Sequence, residues 1–252
     1  MPIRPIRLLL VLMLILISPG AFAAAPGPTL EPTVGLNAYA ALVDQEFAHT
    51  RSALRTLAAS ENARSGDWGR IRGPLAILAE GEPTSAAVWF ARPDGSYFAV
   101  DGGLTGQNLK TRAYFPKLMS GEEVFGDLVV SRTTGKRSAI FAVPIRAGGR
   151  VVGALGVSVS MEKVAARVED DLRLPKEVMF YALDGAGQIA LHRESRLLFE
   201  FATGLGSPTL NQAVREMLAK PEGVVRYEFE GAQRTAIFKR SAETHWVFAL
   251  RW

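Results

Sequence analysis

The chain carries three histidines, His49, His192 and His245, and no cysteine. The histidines lie far apart, and none has the short spacing of a zinc site. The lack of cysteine removes thiol nucleophiles, disulfides and cysteine–metal sites together. No G-x-S-x-G elbow and no Walker loop occurs. Gly102-Gly103, Gly148-Gly149 and Gly204-Leu205-Gly206 sit in turn-like stretches, and none opens a strand–helix nucleotide loop. Asp184 with Glu194, and Glu169 with Asp170, are the available acid pairs, and they read as solvated charges at element ends. No nucleophile, base and orienter can be assembled, so the chain is not expected to be an enzyme or to hold a metal ion or cofactor.

One cation stands in a context that suggests binding chemistry. Arg112 is followed by Ala113, Tyr114 and Phe115. A guanidinium presents a planar fork of donors that suits a carboxylate, and a neighbouring tyrosine adds a ring face and a hydroxyl. The alternative is a local ion pair with Glu122, Glu123 or Asp127, and the residues alone leave both readings open. Lys110 and Lys117 flank the arginine and read as solvated charges.

These residues must be positioned by the elements around them. Leu36, Tyr39, Val43, Phe47, Leu54 and Leu57 recur at helical spacing, which predicts a long helix over 33–66 with Gly66 as its C-cap. A second helix is expected over 68–80, interrupted near Gly73-Pro74. From residue 86 the period becomes that of strands. Residues 87–91 and 97–101 flank Pro93-Asp94-Gly95-Ser96, which is hairpin chemistry. A helical piece over 114–120 follows, then strands over 127–131, 137–145 and 150–160, the last two joined at Ala147-Gly148-Gly149. After a connecting helix over 162–172 the order repeats: strands over 178–183 and 188–192, a helix over 210–218, and strands over 224–230, 234–240 and 246–251. The short turns favour antiparallel pairing, so the class is α+β: a long N-terminal helix plus two modules, each with an antiparallel sheet of about five strands. Trp68, Trp89, Trp246 and Trp252 read as core or strand-edge aromatics.

The N-terminus reads as a targeting signal. Arg4 and Arg7 precede an unbroken apolar run of ten residues, 8–17, followed by Ser18-Pro19-Gly20 and the small-x-small pattern Ala21-Phe22-Ala23. A signal peptide over 1–23, cleaved after Ala23, is expected, with an uncleaved N-terminal anchor as the alternative. Residues 24–32 are a Pro/Gly/Ala leader. The formal charge of +4 falls to +2 without Arg4 and Arg7, and no basic stripe suits a nucleic acid.

The stretch 89–161 contains WFARPDGSYFAVDGG, NLKTRAYFPKLMSG and GDLVVSRTTGKRSAIFAVPIRAGGRVVGALGVSVSM. It resembles the ligand-sensing half of a double Cache domain, an extracytoplasmic relative of the PAS fold. Residues 180–252 resemble the second half through LDGAGQIALH, GVVRYEFEG and Trp246. The resemblance implies two PAS-like modules, a membrane-distal one over 67–161 holding the ligand and a membrane-proximal one over 176–252, joined by the helical link 162–175. It also implies that the Arg-x-aromatic-aromatic motif lines the pocket. In members that bind amino acids, a tyrosine precedes the arginine, Trp and Tyr follow it, and an aspartate on the last strand receives the ammonium. The matching positions here are Gln107, Tyr114, Phe115 and Ser158. A buried ammonium needs a charged or well-bonded partner, and one serine offers little of that. The expected ligand is therefore a monocarboxylate or small dicarboxylate held by Arg112 with neutral Gln107, Ser131, Thr133 and Ser158. Tyr97 and Asp101 are further lining candidates; His192 with Arg193 could face a second small pocket, although a lone histidine after a strand reads first as a surface residue. The expected role is a periplasmic sensor that signals through a separate membrane-bound kinase, chemoreceptor or cyclase, since the sequence ends at Trp252 inside the final strand. The other reading is an interaction module of the same fold that has lost its ligand. The long helix could pair two copies in a homodimer, or its apolar face could be used up by its own domain.

Overall fold

The computed structural model describes residues 31–131 and 135–252. The expected signal peptide, most of the leader, and Thr133 lie outside the described residues. The first helix, α1 (Pro32–Ala58), starts where Glu31 accepts a hydrogen bond from the Val34 amide and Pro32 takes the first turn. Its stripe of Leu36, Tyr39, Val43, Phe47 and Leu54 is buried. The stripe meets both sheets: Tyr39 packs on Phe180 and Phe248, while Phe47 packs on Phe141 and Trp246. The apolar face of this helix is thus used up by its own chain.

The long helix ends earlier than its periodicity predicts. It stops at Ala58, and a separate short helix, α2 (Glu61–Arg64), follows. Ser60 makes the break. Its hydroxyl donates to the Leu57 carbonyl at 2.7 Å and accepts from the Ala63 amide at 3.2 Å, so it ends one helix and caps the next. Gly66 (φ 66°) then follows α2 rather than α1. The expected interruption at Pro74 is absent, because α3 (Trp68–Gly81) runs through it. Ile71, Leu75 and Leu78 on its buried face offset the missing backbone hydrogen bond.

Two antiparallel sheets form among the described residues. The first comprises β1 (Ser85–Ala91), β2 (Ser96–Ala99), β3 (Gly103–Asn108), β4 (Val124–Val130), β5 (Arg137–Ala147) and β6 (Arg150–Ser160), in the order β3-β2-β1-β6-β5-β4. The edge strand β3 makes this sheet six-stranded. A short helix, α4 (Phe115–Ser120), precedes β4, and α5 (Met161–Leu172) leads to the second sheet. That sheet comprises β7 (Met179–Leu183), β8 (Ile189–His192), β9 (Glu222–Phe229), β10 (Ala232–Arg240) and β11 (Val247–Arg251), in the order β8-β7-β11-β10-β9. Its crossover carries α6 (Pro208–Ala219). Leaving β3 aside, the two sheets have the same strand order relative to the chain, so the repeat read from turn chemistry is a repeat of topology. The described residues include no helix long and apolar enough to cross a membrane.

Candidate functional site

One face of the first sheet is built for a cavity. Register puts Ile140, Ser158 and Ala87 opposite one another across β5, β6 and β1, and puts Trp89 between Gly156 and Ala99. Residues two apart share a face, so Ser138 on β5 and Tyr97 on β2 join this surface. The cavity above it is about 380 Å³, a size that suits a small organic molecule. Its lining includes Trp89, Tyr97, Asp101, Gln107, Arg112, Tyr114, Ser131, Ser138 and Ser158.

The wall carrying Arg112 is tied to the β1–β2 hairpin. The Asn108 side chain donates to the Asp94 carbonyl at 3.0 Å and accepts from the Lys110 amide at 2.8 Å. The Leu109 amide donates to the Gly95 carbonyl at 2.8 Å. A Cβ at residue 95 would lie 2.3 Å from Asn108 Oδ1, and Gly95 has φ 84°. Only glycine suits that position. The hairpin turn and the loop before α4 are therefore one structure, although they are separated in sequence.

Arg112 is half-buried, and its Nη2 donates to the Val130 carbonyl at 3.2 Å. The three acids that could have neutralised it locally are engaged elsewhere. Glu123 takes a bidentate bond from Arg55, Asp127 pairs with Lys117 at 3.4 Å, and Glu122 accepts from Ser120. Among the described residues, Arg112 has no ion pair. The guanidinium thus sits at the cavity with charge and donors to offer.

Tyr114 is buried at the cavity wall, with its ring 6.5 Å from that of Trp89. Phe115 does not line the cavity; it opens α4 and packs in a buried cluster with Leu118 and Val124. Successive residues at a helix start diverge by about 100°, so the two aromatics of the motif divide between cavity and core. Gln107 and Asp101 are exposed at the cavity, Tyr97 is half-buried, and Ser131 lies at the end of β4. Lys110 and Lys117 are exposed and do not line it.

Of the lining residues that were not singled out from the sequence as site residues, Trp89 and Ser138 carry polar groups set by the strand register. Trp89, read there as a core aromatic, lies over Gly156 and donates from Nε1 to Ser158 Oγ at 3.2 Å. Ser158 is therefore held in place by an indole. Ser138 is 2% exposed, and its hydroxyl has no hydrogen-bond partner among the described residues. A buried hydroxyl without a partner is costly, and this one faces the cavity. The available signal was parity: Ser138 and Ser158 are small polar residues within otherwise apolar strands.

Gly156 explains the glycine spacing in GALGVS. A Cβ there would lie 2.2 Å from the Trp89 ring. Gly156→Val is expected to destabilise the protein by about 1–3 kcal/mol through overpacking and to displace the indole from Ser158. Urea denaturation and near-ultraviolet circular dichroism would check this, and an unchanged midpoint would rule it out.

No protein-family model matches the sequence, and a comparison with curated proteins gave no match. Solved structures do match. An extracellular ligand-binding receptor from Desulfohalobium retbaense superposes with a TM-score of 0.70 at 12% identity, over 89% of this chain and 41% of that one. This chain therefore spans less than half of that receptor. The ligand-binding domain of a Pseudomonas aeruginosa amino acid chemoreceptor, in complex with L-Gln, superposes with a TM-score of 0.70 at 16% identity, over 88% of this chain and 90% of that one. The periplasmic sensory domain of a Campylobacter jejuni chemoreceptor gives 0.69 at 10% identity, over 87% and 94%. The chain has the double Cache fold. Within this fold, the cavity described above lies on the first of the two sheets.

The second sheet carries a smaller cavity of about 40 Å³, lined by Tyr181, His192, Tyr227, Phe229 and Arg251 with apolar neighbours. His192 faces it, but Arg193 does not. Arg193 turns toward α5, where it pairs with Glu169 and donates to the Pro175 and Val178 carbonyls. Adjacent residues at a strand end point to opposite sides. Among the described residues, no cluster of three metal-ligating side chains occurs.

Proposed function

We propose that this chain is the small-molecule-binding domain of an extracytoplasmic sensory system, and that its ligand is a small organic carboxylate held by Arg112. The observation that carries this reading is a guanidinium that has no ion pair among the described residues, placed at a cavity of about 380 Å³. Tyr114, Tyr97 and Trp89 would enclose the ligand's carbon skeleton, while Ser138 and Ser158 would take its remaining oxygens. Gln107, Asp101 and Ser131 would border it. Thr133 belongs to the same proposed set from the sequence.

The proposed setting is the periplasm, reached by the signal peptide at 1–23. The signal would pass to a separate membrane-bound kinase, chemoreceptor or cyclase. The receptor and chemoreceptor domains that share the fold support this reading.

One of those domains is described with L-Gln, so amino acids are the natural comparison. The position matching their ammonium-binding aspartate is Ser158, and its hydroxyl already receives the Trp89 indole. The acid that does line the cavity, Asp101, is exposed. A thermal-shift screen of mono- and dicarboxylates against α-amino acids tests the proposal. A ligand at a hundredfold its Kd adds about 2.7 kcal/mol, or roughly 5–10 °C in Tm. Stabilisation by organic acids alone is expected. Stabilisation by amino acids alone would assign Asp101 to their ammonium and overturn the carboxylate reading, and no stabilisation by either would point to an interaction module without a ligand.

A further inference from the structure

The small cavity on the second sheet has a charge that no described residue balances. Arg251 is 7% exposed. Its guanidinium lies 5.7 Å from the Phe229 ring centroid, and among the described residues it makes no ion pair and no side-chain hydrogen bond. The two acids at the near end of the module, Glu194 and Glu230, are both taken by Arg196. A buried cation without a partner is among the most costly arrangements in a protein interior.

The surroundings are built as a pocket. Register places Arg251 opposite Ala236, and Tyr181 opposite both Ala249 and His192, so Arg251, Tyr181 and His192 share the face covered by α6. Tyr227 lies on the same face, its hydroxyl 3.2 Å from that of Tyr181. Val214 of α6 closes the top. The space holds a molecule of only a few heavy atoms. Water would solvate the guanidinium there but would leave its charge in place. A single small anion would neutralise it and accept its hydrogen bonds, with the hydroxyl proton not used between Tyr181 and Tyr227 as a further donor.

We propose that the second module holds a small monovalent anion, of the size of chloride, nitrate, formate or acetate, on Arg251 beside His192, Tyr181 and Tyr227. This site is separate from the Arg112 cavity and does not depend on the function proposed for that cavity. An anion here would add binding capacity to the module that lacks the larger cavity.

The test is a titration of the whole protein with sodium chloride, nitrate, formate and acetate in turn. Ionic strength is held constant with gluconate, which is too large to enter. The His192 ring signals are followed by NMR. A saturable shift with at least one of the four anions is expected. Arg251→Met should weaken that response by about tenfold or more, and Arg112→Ala should leave it unchanged. If Arg251→Met does not fold, Val214→Phe fills the cavity while keeping the arginine and should abolish the response. No saturable shift with any of the four anions in the wild-type protein would overturn the proposal, as would an unchanged titration in Arg251→Met. Loss of the response in Arg112→Ala would assign the anion to the first cavity instead and overturn it equally.

Discussion

Arg112→Ala is expected to weaken binding of the best carboxylate by about tenfold to a hundredfold, with little change in Tm. The magnitude follows from charge-assisted hydrogen bonds worth about 1.5–3 kcal/mol. The small structural effect follows from what the side chain does among the described residues: it donates to the Val130 carbonyl at the edge of the cavity and has no ion pair. Removing it therefore leaves no buried acid without a partner. Arg112→Lys is expected to recover part of the affinity, because a lysine keeps the charge but loses the planar fork. Isothermal titration calorimetry on the three proteins checks this. Equal affinities in all three would mean that the cavity binds its ligand without the guanidinium. A large fall in Tm for Arg112→Ala would mean that the arginine is structural.

The second large effect is a loss of stability in acid through His192. The imidazole is 5% exposed and accepts a hydrogen bond from the Glu194 amide at its Nδ1 at 2.8 Å. Burial holds its pKa down to about 4, and the positive charges of Arg251 and Arg196 add to the effect. Tyr181, stacked 6.1 Å away, is neutral throughout this range because burial raises its pKa well above 10.0. Between pH 6.5 and 4 the unfolded chain binds a proton at His192 and the folded chain does not. The histidine's contribution is thus fully present above about pH 6.5 and falls away as the pH drops toward 4, by about 3 kcal/mol. His192→Asn keeps an acceptor for the Glu194 amide without a titrating group, and is expected to flatten the profile by that amount. Urea denaturation of both proteins at pH 7 and pH 4 decides it. Parallel profiles would show that the imidazole titrates as freely in the folded protein as in the unfolded one.

Both experiments concern residues that the sequence presents very differently. Arg112 was legible because its neighbours Ala113, Tyr114 and Phe115 form a local motif. His192 stood out only as a histidine after a strand. Its low pKa comes first from burial under α6 and then from Arg251 and Arg196, and neither the burial nor the approach of Arg251 is encoded by a local pattern.

What the sequence by itself determined is the series of elements and their repeat. Turn chemistry at 93–96, 147–149 and 184–187, and the change of period at residue 86, carry local physical signals, because a turn's conformation and a strand's alternation depend on residues a few positions apart. Those signals yielded two antiparallel modules and the loop bearing Arg112. The short edge strand β3, with its glycines and polar residues, gave no such signal. Tertiary structure decided the rest. It carried α3 through Pro74, since packing on the sheets outweighed local propensity. It sent Tyr114 to the cavity and Phe115 to the core, and it brought Ser138 and Trp89 into the site. It also settled which charges are neutralised: Glu123 and Asp127 went to Arg55 and Lys117, and Glu194 and Glu230 to Arg196, so that Arg112 and Arg251 have no ion pair among the described residues. Ion pairing and burial are relations between residues far apart in the chain, and only the folded protein fixes which of them meet.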